Sequence, residues 1–340
     1  MFTDINKKLL PFLKTAGIAD DSSRIRLTPL SGGVSSDIYR LDIDADSYCL
    51  KQALPKLKVD IDWYADTNRS YYEFEWLHFA HSINNNNTPK LIAYERETGF
   101  ILMEYLPPEC YPVWKKQLLD GAVDPGFAAR VGMETARIHA HAHDNPYIKD
   151  LFQTGAMFHQ LRIEPYLLYT GQRYEDLRIR KAFMTLADSL RETHITLIHG
   201  DVSPKNILVG PGGPVFLDAE CAFYGDPAFD LSFCLNHLLL KSIRKAELYG
   251  KYTDAYKNLV AAYLKHVTWE DRDLFVSRCL KLLPALMLAR IDGKSPVEYI
   301  TLEKQKQLIR RFCTTRLYES SLDLFKFSDD LGSEIPLLLQ

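Results

Sequence analysis

The chain has 340 residues, 46% of them hydrophobic and 25% charged, with a formal net charge of −3. This composition is typical of globular proteins, and the slight negative charge argues against a general nucleic-acid binder, which is usually basic. The longest apolar run, residues 282–289, is far shorter than the roughly 20 residues of a membrane-spanning helix, so we expect no membrane association. No secretory signal pattern opens the sequence, so we expect a cytoplasmic protein, and its length predicts two lobes.

The first hundred residues predict a small antiparallel sheet. Apolar residues at helical spacing indicate a short helix over 5–16. Alternating segments follow at 25–27, 37–42 and 48–51, separated by turn residues. Two further strand patterns bring the expected sheet to about five strands, at 91–94 and 100–105.

A glycine-rich turn, Leu-Ser-Gly-Gly-Val-Ser-Ser over residues 30–36, joins the first two strands. Gly32 and Gly33 would let backbone N–H groups approach an anion closely, and the hydroxyls of Ser35 and Ser36 would add donors. The turn does not follow the G-x-G-x-x-G pattern, so a plain hairpin turn is the alternative. Its place relative to Lys51 favours a loop that covers phosphates.

Lys51 lies inside an apolar strand, where an unpaired ammonium group would be costly to bury. It either reaches solvent along its aliphatic stem or finds a partner on the helix predicted over 68–82. At about 100° per residue, Glu73 falls about 50° from the centre of that helix's apolar stripe and Glu75 about 110° from it. Glu73 is therefore the expected partner of Lys51, and Glu75 is expected to face solvent.

Strand patterns give way to helical patterns after Met103, in the stretch Glu-Tyr-Leu-Pro-Pro. We place a hinge at 104–108, between an N-lobe of residues 1–103 and a C-lobe of residues 109–340. Helical signals in the C-lobe include Asp-Pro pairs, a Ser-Pro pair and apolar periodicity. The predicted helices begin at Pro125, Pro227 and Ser295, or cover 249–267, 271–290 and 302–320.

Two histidines of the first of these helices, His139 and His143, are four residues apart and share one helical face. Such a pair could bind a transition metal, although no third ligand has an evident spacing. Packing or surface roles are the alternative. Asp230 lies among apolar residues of a helix predicted to be buried, and it therefore needs hydrogen-bond donors around it.

Two polar segments alternate with apolar β-formers between residues 196 and 220. We expect two short strands in a hairpin, with a polar loop entering it and a carboxylate at its end. This arrangement gathers Asp201, Asn206 and Asp218 around one small space. A carboxylate able to take a hydroxyl proton, with an amide oxygen and a second carboxylate for a hard cation, suits phosphoryl transfer.

These segments resemble the aminoglycoside phosphotransferase family and its choline kinase-like members, the small-molecule relatives of protein kinases. The resemblance is carried by an H-G-D-x-x-x-x-N pattern, a following aspartate and a Tyr-Gly-Asp-Pro-Ala-Phe-Asp-Leu run. The matching residues are His199, Gly200, Asp201, Asn206, Asp218 and residues 224–231.

The resemblance implies an α+β, two-lobed protein-kinase-like fold, with a small N-lobe of about five strands and a helix and a mainly helical C-lobe. It also implies an enzyme that uses ATP and Mg²⁺ to phosphorylate an alcohol group of a small molecule. Lysine would contact the α- and β-phosphates, glutamate would hold the lysine, and hinge backbone groups would hold the adenine. The implied residues are Asp201 (catalytic), Gly32, Gly33, Ser35, Ser36, Lys51, Glu73, Glu104 and Tyr105 (nucleotide), and Asn206 and Asp218 (metal).

A finer resemblance, to the methylthioribose kinases, is carried by Lys-Gln-Ala-Leu-Pro over residues 51–55 together with Arg69 and Glu73. It implies a sugar-like or polyol hydroxyl as the acceptor. A different class of function, a nucleotide-binding protein that senses or scaffolds without phosphate transfer, is the alternative. Nucleic acid and membrane are not expected as partners, and the sequence does not indicate an oligomeric state.

Several charged side chains of the C-lobe allow two interpretations. Lys205 would either reach the transferred phosphate or lie at the surface, and Glu220 would either contact the metal through water or be solvated. Four basic residues of the C-terminal helices and loops would either hold an acidic group of the acceptor or lie on solvated helix faces: Arg290, Lys294, Arg310 and Arg311.

Overall fold

The computed structural model describes residues 2–30, 35–56, 58, 64–319 and 323–339. Its N-terminal part contains a five-stranded antiparallel sheet in the order β1-β2-β3-β5-β4, which confirms the predicted strand number. The central strand carries Lys51, which pairs with Ile38 on one side and Ile101 on the other. The strands are β1 (Ile25–Pro29), β2 (Ser36–Ile43), β3 (Asp46–Ala53), β4 (Leu91–Glu95) and β5 (Phe100–Glu104).

Two helices pack against this sheet, α1 (Phe2–Thr15) and α2 (Arg69–Ile83). Successive residues of a strand point to opposite faces of a sheet. Leu50 therefore joins the apolar core beneath α1, whereas its neighbour Lys51 faces α2. Trp76 of α2 belongs to the core of the C-terminal part, so this helix ties the sheet to the rest of the molecule.

The C-terminal part is mainly helical, as predicted. Its central helix, α9, is buried along almost its whole length and packs against α10 and α11. A π-helix, His159–Leu168, connects α6 and α7. The helices are α3 (Trp114–Asp120), α4 (Pro125–Ala142), α5 (Pro146–Leu151), α6 (Gly155–Phe158), α7 (Tyr169–Gln172), α8 (Leu177–Glu192), α9 (Pro227–Arg244), α10 (Tyr249–Leu264), α11 (Arg272–Asp292), α12 (Glu303–Arg316), α13 (Leu324–Glu334) and α14 (Pro336–Leu339).

Four short strands form the surroundings of the polar loop. β7 (Ile207–Gly210) and β8 (Gly213–Phe216) make the predicted hairpin. The strand before the loop, β6 (Thr196–Ile198), pairs instead with β9 (Phe223–Gly225), which follows the hairpin. The polar loop and the segment after the hairpin are thus enclosed between two small sheets.

The prediction that Ser295 begins a helix is wrong. Helix α11 ends at Asp292, as expected, but the next helix begins only at Glu303. Arg290 donates to the backbone and side-chain oxygens of Ser295, and the N–H of Val297 donates to the carbonyl of Arg290 at 2.8 Å. These bonds fold the segment back onto the end of α11 and prevent a helical start there. None of the described helices combines the length and apolar character needed to cross a membrane.

Candidate functional site

Lys51 lies at the centre of the buried polar groups between sheet and helices. Its ammonium group donates to Glu73 at 2.7 Å and also bonds Asp218, which follows the hairpin. Lys51 is only 5% exposed and Glu73 2%. Burial acts to lower the pKa of Lys51, but the two carboxylates outweigh it and raise that pKa, so the amine is charged.

The two carboxylates beside Lys51 differ in their tendency to bind a proton. Burial raises the pKa of Glu73 to about 7, against the opposing effect of Lys51. Burial also acts to raise the pKa of Asp218, but Lys51 and Lys205 outweigh it and hold that pKa well below its usual range. Asp218 therefore keeps its negative charge, and its φ of 66° is a conformation that non-glycine residues adopt only when their surroundings impose it.

The loop after β6 is fixed by one buried aspartate, Asp230 of α9. The backbone N–H groups of His199 and Gly200 donate to its carboxylate oxygens at 2.7 and 2.9 Å. Gly200 has a φ of 75°, and a Cβ at this position would collide with the carbonyl of Cys221. Only glycine fits this turn, so the loop has a defined path into Asp201.

His199 braces the same loop. Its Nδ1 accepts from the N–H of Asp201 at 3.2 Å, and its Nε2 lies 3.0 Å from the carbonyl of Leu217, to which it donates. Burial lowers the pKa of His199, which favours the neutral ring that this pattern requires. Both ring nitrogens are occupied by the backbone, so His199 is not a base for the acceptor.

Asp201 has two carboxylate oxygens in different environments. Oδ2 lies 2.8 Å from Nη2 of Arg162 and 3.1 Å from Nζ of Lys205. Oδ1 is buried and has no hydrogen-bond partner among the described residues. Burial acts to raise the pKa of Asp201, but Lys205 and Arg162 lower it below its ordinary value. The group is therefore an ionised carboxylate with one free acceptor oxygen.

Arg162 is a residue of the site that the sequence patterns did not predict. It lies in the π-helix, is 7% exposed, and also donates to the carbonyl of Gly200 at 2.6 Å. An arginine between Leu161 and Ile163 is a signal of the same kind as Lys51 in its apolar strand. The wider turn of a π-helix, which sets the direction of the side chain, is not visible in the sequence.

Asn206 follows Asp201 in a short 3₁₀ turn, Pro204–Asn206. The side-chain amide of Asn206 donates to the backbone carbonyl of Asp201 at 3.1 Å. The backbone carbonyl of Asn206 accepts from the N–H of Leu217, the residue before Asp218. The amide oxygen accepts no hydrogen bond within the described part of the chain. Asn206 is thus joined by a backbone hydrogen bond to the residue before Asp218, and amide and carboxylate oxygens are ligands that suit Mg²⁺.

The histidine pair does not form a metal site. No group of three or more histidine, cysteine or acidic side chains among the described residues could hold a metal ion. His139 contacts Tyr263 at 2.6 Å and Asp230 at 3.2 Å, and His143 contacts the carbonyl of Ile195 at 2.9 Å. The packing interpretation holds for both rings.

Glu220 is buried and paired, which contradicts the solvated alternative. Its Oε2 accepts from Nε of Arg69 at 2.8 Å. The same guanidinium, fully buried, donates to the carbonyls of Ser35 and Leu54, both at 2.6 Å. Arg69 thus joins the sheet to the segment that follows the hairpin, a role that was not predicted.

The remaining predicted nucleotide contacts include residues at or next to the ends of β2 and β5. Gly32 and Gly33 lie outside the described residues. Ser35 and Ser36 are buried, and the hydroxyl of Ser36 has no partner among the residues that the structure describes. Glu104 ends β5 with an exposed side chain, and its N–H donates to the carbonyl of Lys90. The ring of Tyr105 lies 4.9 Å from the guanidinium of Arg40.

The four candidate acceptor-binding residues have different surroundings. Arg310 pairs with Asp292 at 2.6 Å, Arg311 pairs with Glu334, and Lys294 lies 3.5 Å from Glu164. These three are engaged within the protein. Arg290 instead donates to two hydroxyls, those of Tyr166 at 3.0 Å and Ser295 at 3.1 Å.

A model of the phosphotransferase enzyme family matches residues 26–272 of the chain. The methylthioribose kinase of Pectobacterium carotovorum subsp. carotovorum (strain PC1) is 26% identical over 259 residues, which cover 66% of this chain and 62% of that protein. Methylthioribose kinase 1 of Oryza sativa subsp. japonica is 24% identical over 229 residues, covering 60% and 53%. The chain thus spans less than two thirds of the length of these relatives.

Solved structures of two kinases share the fold. An amicoumacin kinase in complex with AMP-PNP, Ca²⁺ and Ami aligns at a TM-score of 0.54 and 16% identity, over 97% of this chain and 99% of that one. A choline/ethanolamine kinase family protein from Mesorhizobium loti aligns at 0.51 and 15%, over 98% and 100%. This likeness confirms the predicted two-lobed, kinase-like α+β fold.

Proposed function

The chain belongs to the phosphotransferase enzyme family, and from this membership we propose that it transfers the γ-phosphate of ATP to a hydroxyl of a small, sugar-like molecule in the cytoplasm. The observation that carries the proposal is the arrangement around Asp201. One oxygen of this carboxylate is held by Arg162 and Lys205, and the other is buried and free. Asn206 donates to the backbone carbonyl of Asp201, and its own backbone carbonyl accepts a hydrogen bond from Leu217, the residue before Asp218.

Each side chain then has one task. Oδ1 of Asp201 accepts the hydrogen bond of the acceptor hydroxyl, orients its oxygen and takes its proton as transfer proceeds. The oxygen of the acceptor hydroxyl forms a bond to the γ-phosphorus while the bond from that phosphorus to the β–γ bridging oxygen breaks. ADP leaves with the electron pair of the broken bond. Lys51, positioned by Glu73, binds the phosphates of the nucleotide.

Asn206 and Asp218 would hold Mg²⁺ through their side-chain oxygens. When bound, the ion would supply positive charge that offsets the charge developing on the phosphate oxygens. The low pKa of Asp218 fits this role, because a carboxylate that stays ionised is available as a ligand over the whole neutral range. Lys205, half-exposed beside Asp201, would contact the transferred group.

The test is a screen of sugar and polyol acceptors with Mg-ATP, in which ADP release and phosphorus NMR of the product are measured. Asp201→Ala should lower turnover by about 10²- to 10⁴-fold and leave the affinity for Mg-AMP-PNP near the wild-type value. Asp188→Ala, which changes an exposed carboxylate of α8, is the matched control. Unchanged turnover in Asp201→Ala contradicts the proposal, and wild-type protein that binds Mg-ATP without turning it over would favour the non-catalytic alternative.

A further inference from the structure

Lys241 of α9 is a buried lysine without an acidic partner. It is 1% exposed, and no carboxylate within the described ranges lies within 4.0 Å of its ammonium group. Its nearest acceptors are neutral, the hydroxyl of Tyr299 at 3.3 Å and the carbonyl of His237 at 3.4 Å. The ring of Tyr299 lies 4.7 Å away. Burying an ammonium group is costly, and these neutral contacts compensate only in part for a missing acidic partner.

The charges around Lys241 are mostly of the same sign. The pKa of Lys241 is lowered to about 7, first by burial and then by Lys115 and Arg290, whose effects outweigh the opposing effect of Glu298. Glu298 itself is largely exposed and already pairs with Lys115 at 2.6 Å. The region therefore carries an excess of positive charge, for which an anion would be the natural counter-ion.

The same charges extend to the polar loop. Burial and four cations lower the pKa of His237 well below its ordinary value, and these four define the basic cluster: Lys115, Lys205, Lys241 and Arg290. Lys205 is also the residue 3.1 Å from Asp201. The basic cluster thus includes a residue beside the proposed catalytic carboxylate and a buried residue of α9.

Tyr166 of the π-helix provides a second connection. Its hydroxyl accepts from Arg290 at 3.0 Å, and its ring centroid lies 5.6 Å from the guanidinium carbon of Arg290. The guanidinium carbon of Arg162, which holds Asp201, lies 5.7 Å from the same ring. Arg290 is therefore separated from the contacts of Asp201 by a single aromatic side chain.

Two members of the basic cluster are partly exposed to solvent. The side chain of Lys205 is 49% exposed and that of Lys115 31%. Nε of Arg290 is buried and has no partner within the described part of the chain, so this guanidinium has an unused donor. Lys205 and Lys115 already pair with Asp201 and Glu298, whereas Lys241 and Arg290 have no acidic partner among the described residues.

We propose that the acceptor carries an anionic group, a carboxylate or a phosphate, which the basic cluster binds while the acceptor's hydroxyl is held by Asp201. The inference rests on the proposed function and specifies its substrate class. Lysine and arginine together, with tyrosine hydroxyls beside them, are the donors that recognise such groups. A cationic amine in the same place would be repelled by the basic cluster.

The experiment measures binding and does not require turnover. Wild-type protein saturated with Mg-AMP-PNP is titrated in a calorimeter with glycerol, D-glycerate, glycerol 3-phosphate and inorganic phosphate. The first three share a small polyol frame and differ in charge. Comparison of D-glycerate with glycerol 3-phosphate distinguishes a carboxylate site from a phosphate site, and inorganic phosphate shows whether the anion binds without the polyol frame. We expect at least one anionic member to bind about tenfold or more tightly than glycerol.

Lys241→Met and Arg290→Gln should each reduce this preference by roughly 10- to 100-fold, the usual weight of a charged hydrogen bond. Lys116→Met is the matched control and should keep the preference, because Lys116 is an exposed neighbour of Lys115 whose ammonium group lies 3.9 Å from Asp120. Unchanged thermal unfolding of Arg290→Gln, or of Lys115→Met if needed, shows that the fold is retained.

The possible results separate the two proposals. Equal binding of glycerol and the anions, no binding of any anion, or a preference that survives in both variants overturns the anionic acceptor. Tight anion binding without phosphate transfer to any hydroxyl supports the basic cluster as an anion site and counts against the proposed function. Turnover of neutral polyols with no anion binding supports the proposed function and overturns the anionic acceptor.

Discussion

Replacing Lys241 with methionine should stabilise the protein at neutral pH. Methionine has a similar length, has no charge to desolvate, and suits the apolar surroundings of α9. Lys241 is almost fully buried, and its pKa falls from 10.5 to about 7 through burial and through Lys115 and Arg290. At about 1.4 kcal/mol per pH unit, this difference corresponds to about 5 kcal/mol of lost stability when the amine is protonated in the unfolded chain.

The sign of the effect determines its pH dependence. The folded pKa is lower than the unfolded one, so the unfolded chain binds more protons between about pH 7 and pH 10.5. The wild-type protein should therefore gain stability relative to Lys241→Met as the pH rises through that range. The expected advantage of the variant falls by about 2 kcal/mol between pH 7 and pH 9.

Urea unfolding followed by circular dichroism at pH 6, 7, 8 and 9 measures this difference. The hydroxyl of Tyr299 keeps its contact with Nδ1 of His237, 3.2 Å away, so the variant leaves no new unpaired group there. Lys251→Met, which changes an exposed lysine of α10, is the control and should show no such trend. A variant that is less stable at pH 7, or a difference that does not change with pH, would refute the reasoning.

Three further substitutions test the site. Asp218→Asn, which tolerates the left-handed backbone, should weaken Mg-AMP-PNP binding by about tenfold or more in calorimetry, because it removes an ionised metal ligand. Arg162→Gln should move the acidic limb of the kcat/KM profile to higher pH, because it removes a cation that lowers the pKa of Asp201. Glu220→Gln should lower the free energy of unfolding by about 1–3 kcal/mol in urea, because it leaves the charge of buried Arg69 without its acidic partner.

Each of these has a control of the same chemistry. Glu334→Gln breaks the more exposed pair with Arg311 and should cost less than about 1 kcal/mol. Arg191→Gln and Asp188→Asn change a surface pair of α8 and should leave the pH profile and nucleotide affinity unchanged. Wild-type nucleotide affinity in Asp218→Asn, an unshifted profile in Arg162→Gln, or equal costs for the two glutamates would contradict the corresponding assignment.

Local patterns in the sequence are sufficient to predict a side-chain contact when both residues lie in regular strands or helices. Lys51 and Glu73 could be paired because strand alternation and helical spacing fix the directions of both side chains. Arg162 could not be placed, because a π-helix changes the direction in which a side chain points. Arg69 and Glu220 are distant in sequence, and only the packing of α2 against the hairpin segment brings them together. Such contacts depend on tertiary packing, which periodicity does not encode.

Arg69 also has a consequence for how the molecule moves. Its guanidinium binds carbonyls at the ends of β2 and β3 and, with its remaining nitrogens, Glu220 and the loop carbonyls of Ala65 and Asp66. Pulling the lobes apart here would break the buried ion pair of Arg69 with Glu220. Ligand-driven closure should therefore be a rotation about this residue as a fixed pivot, with the largest displacements far from it.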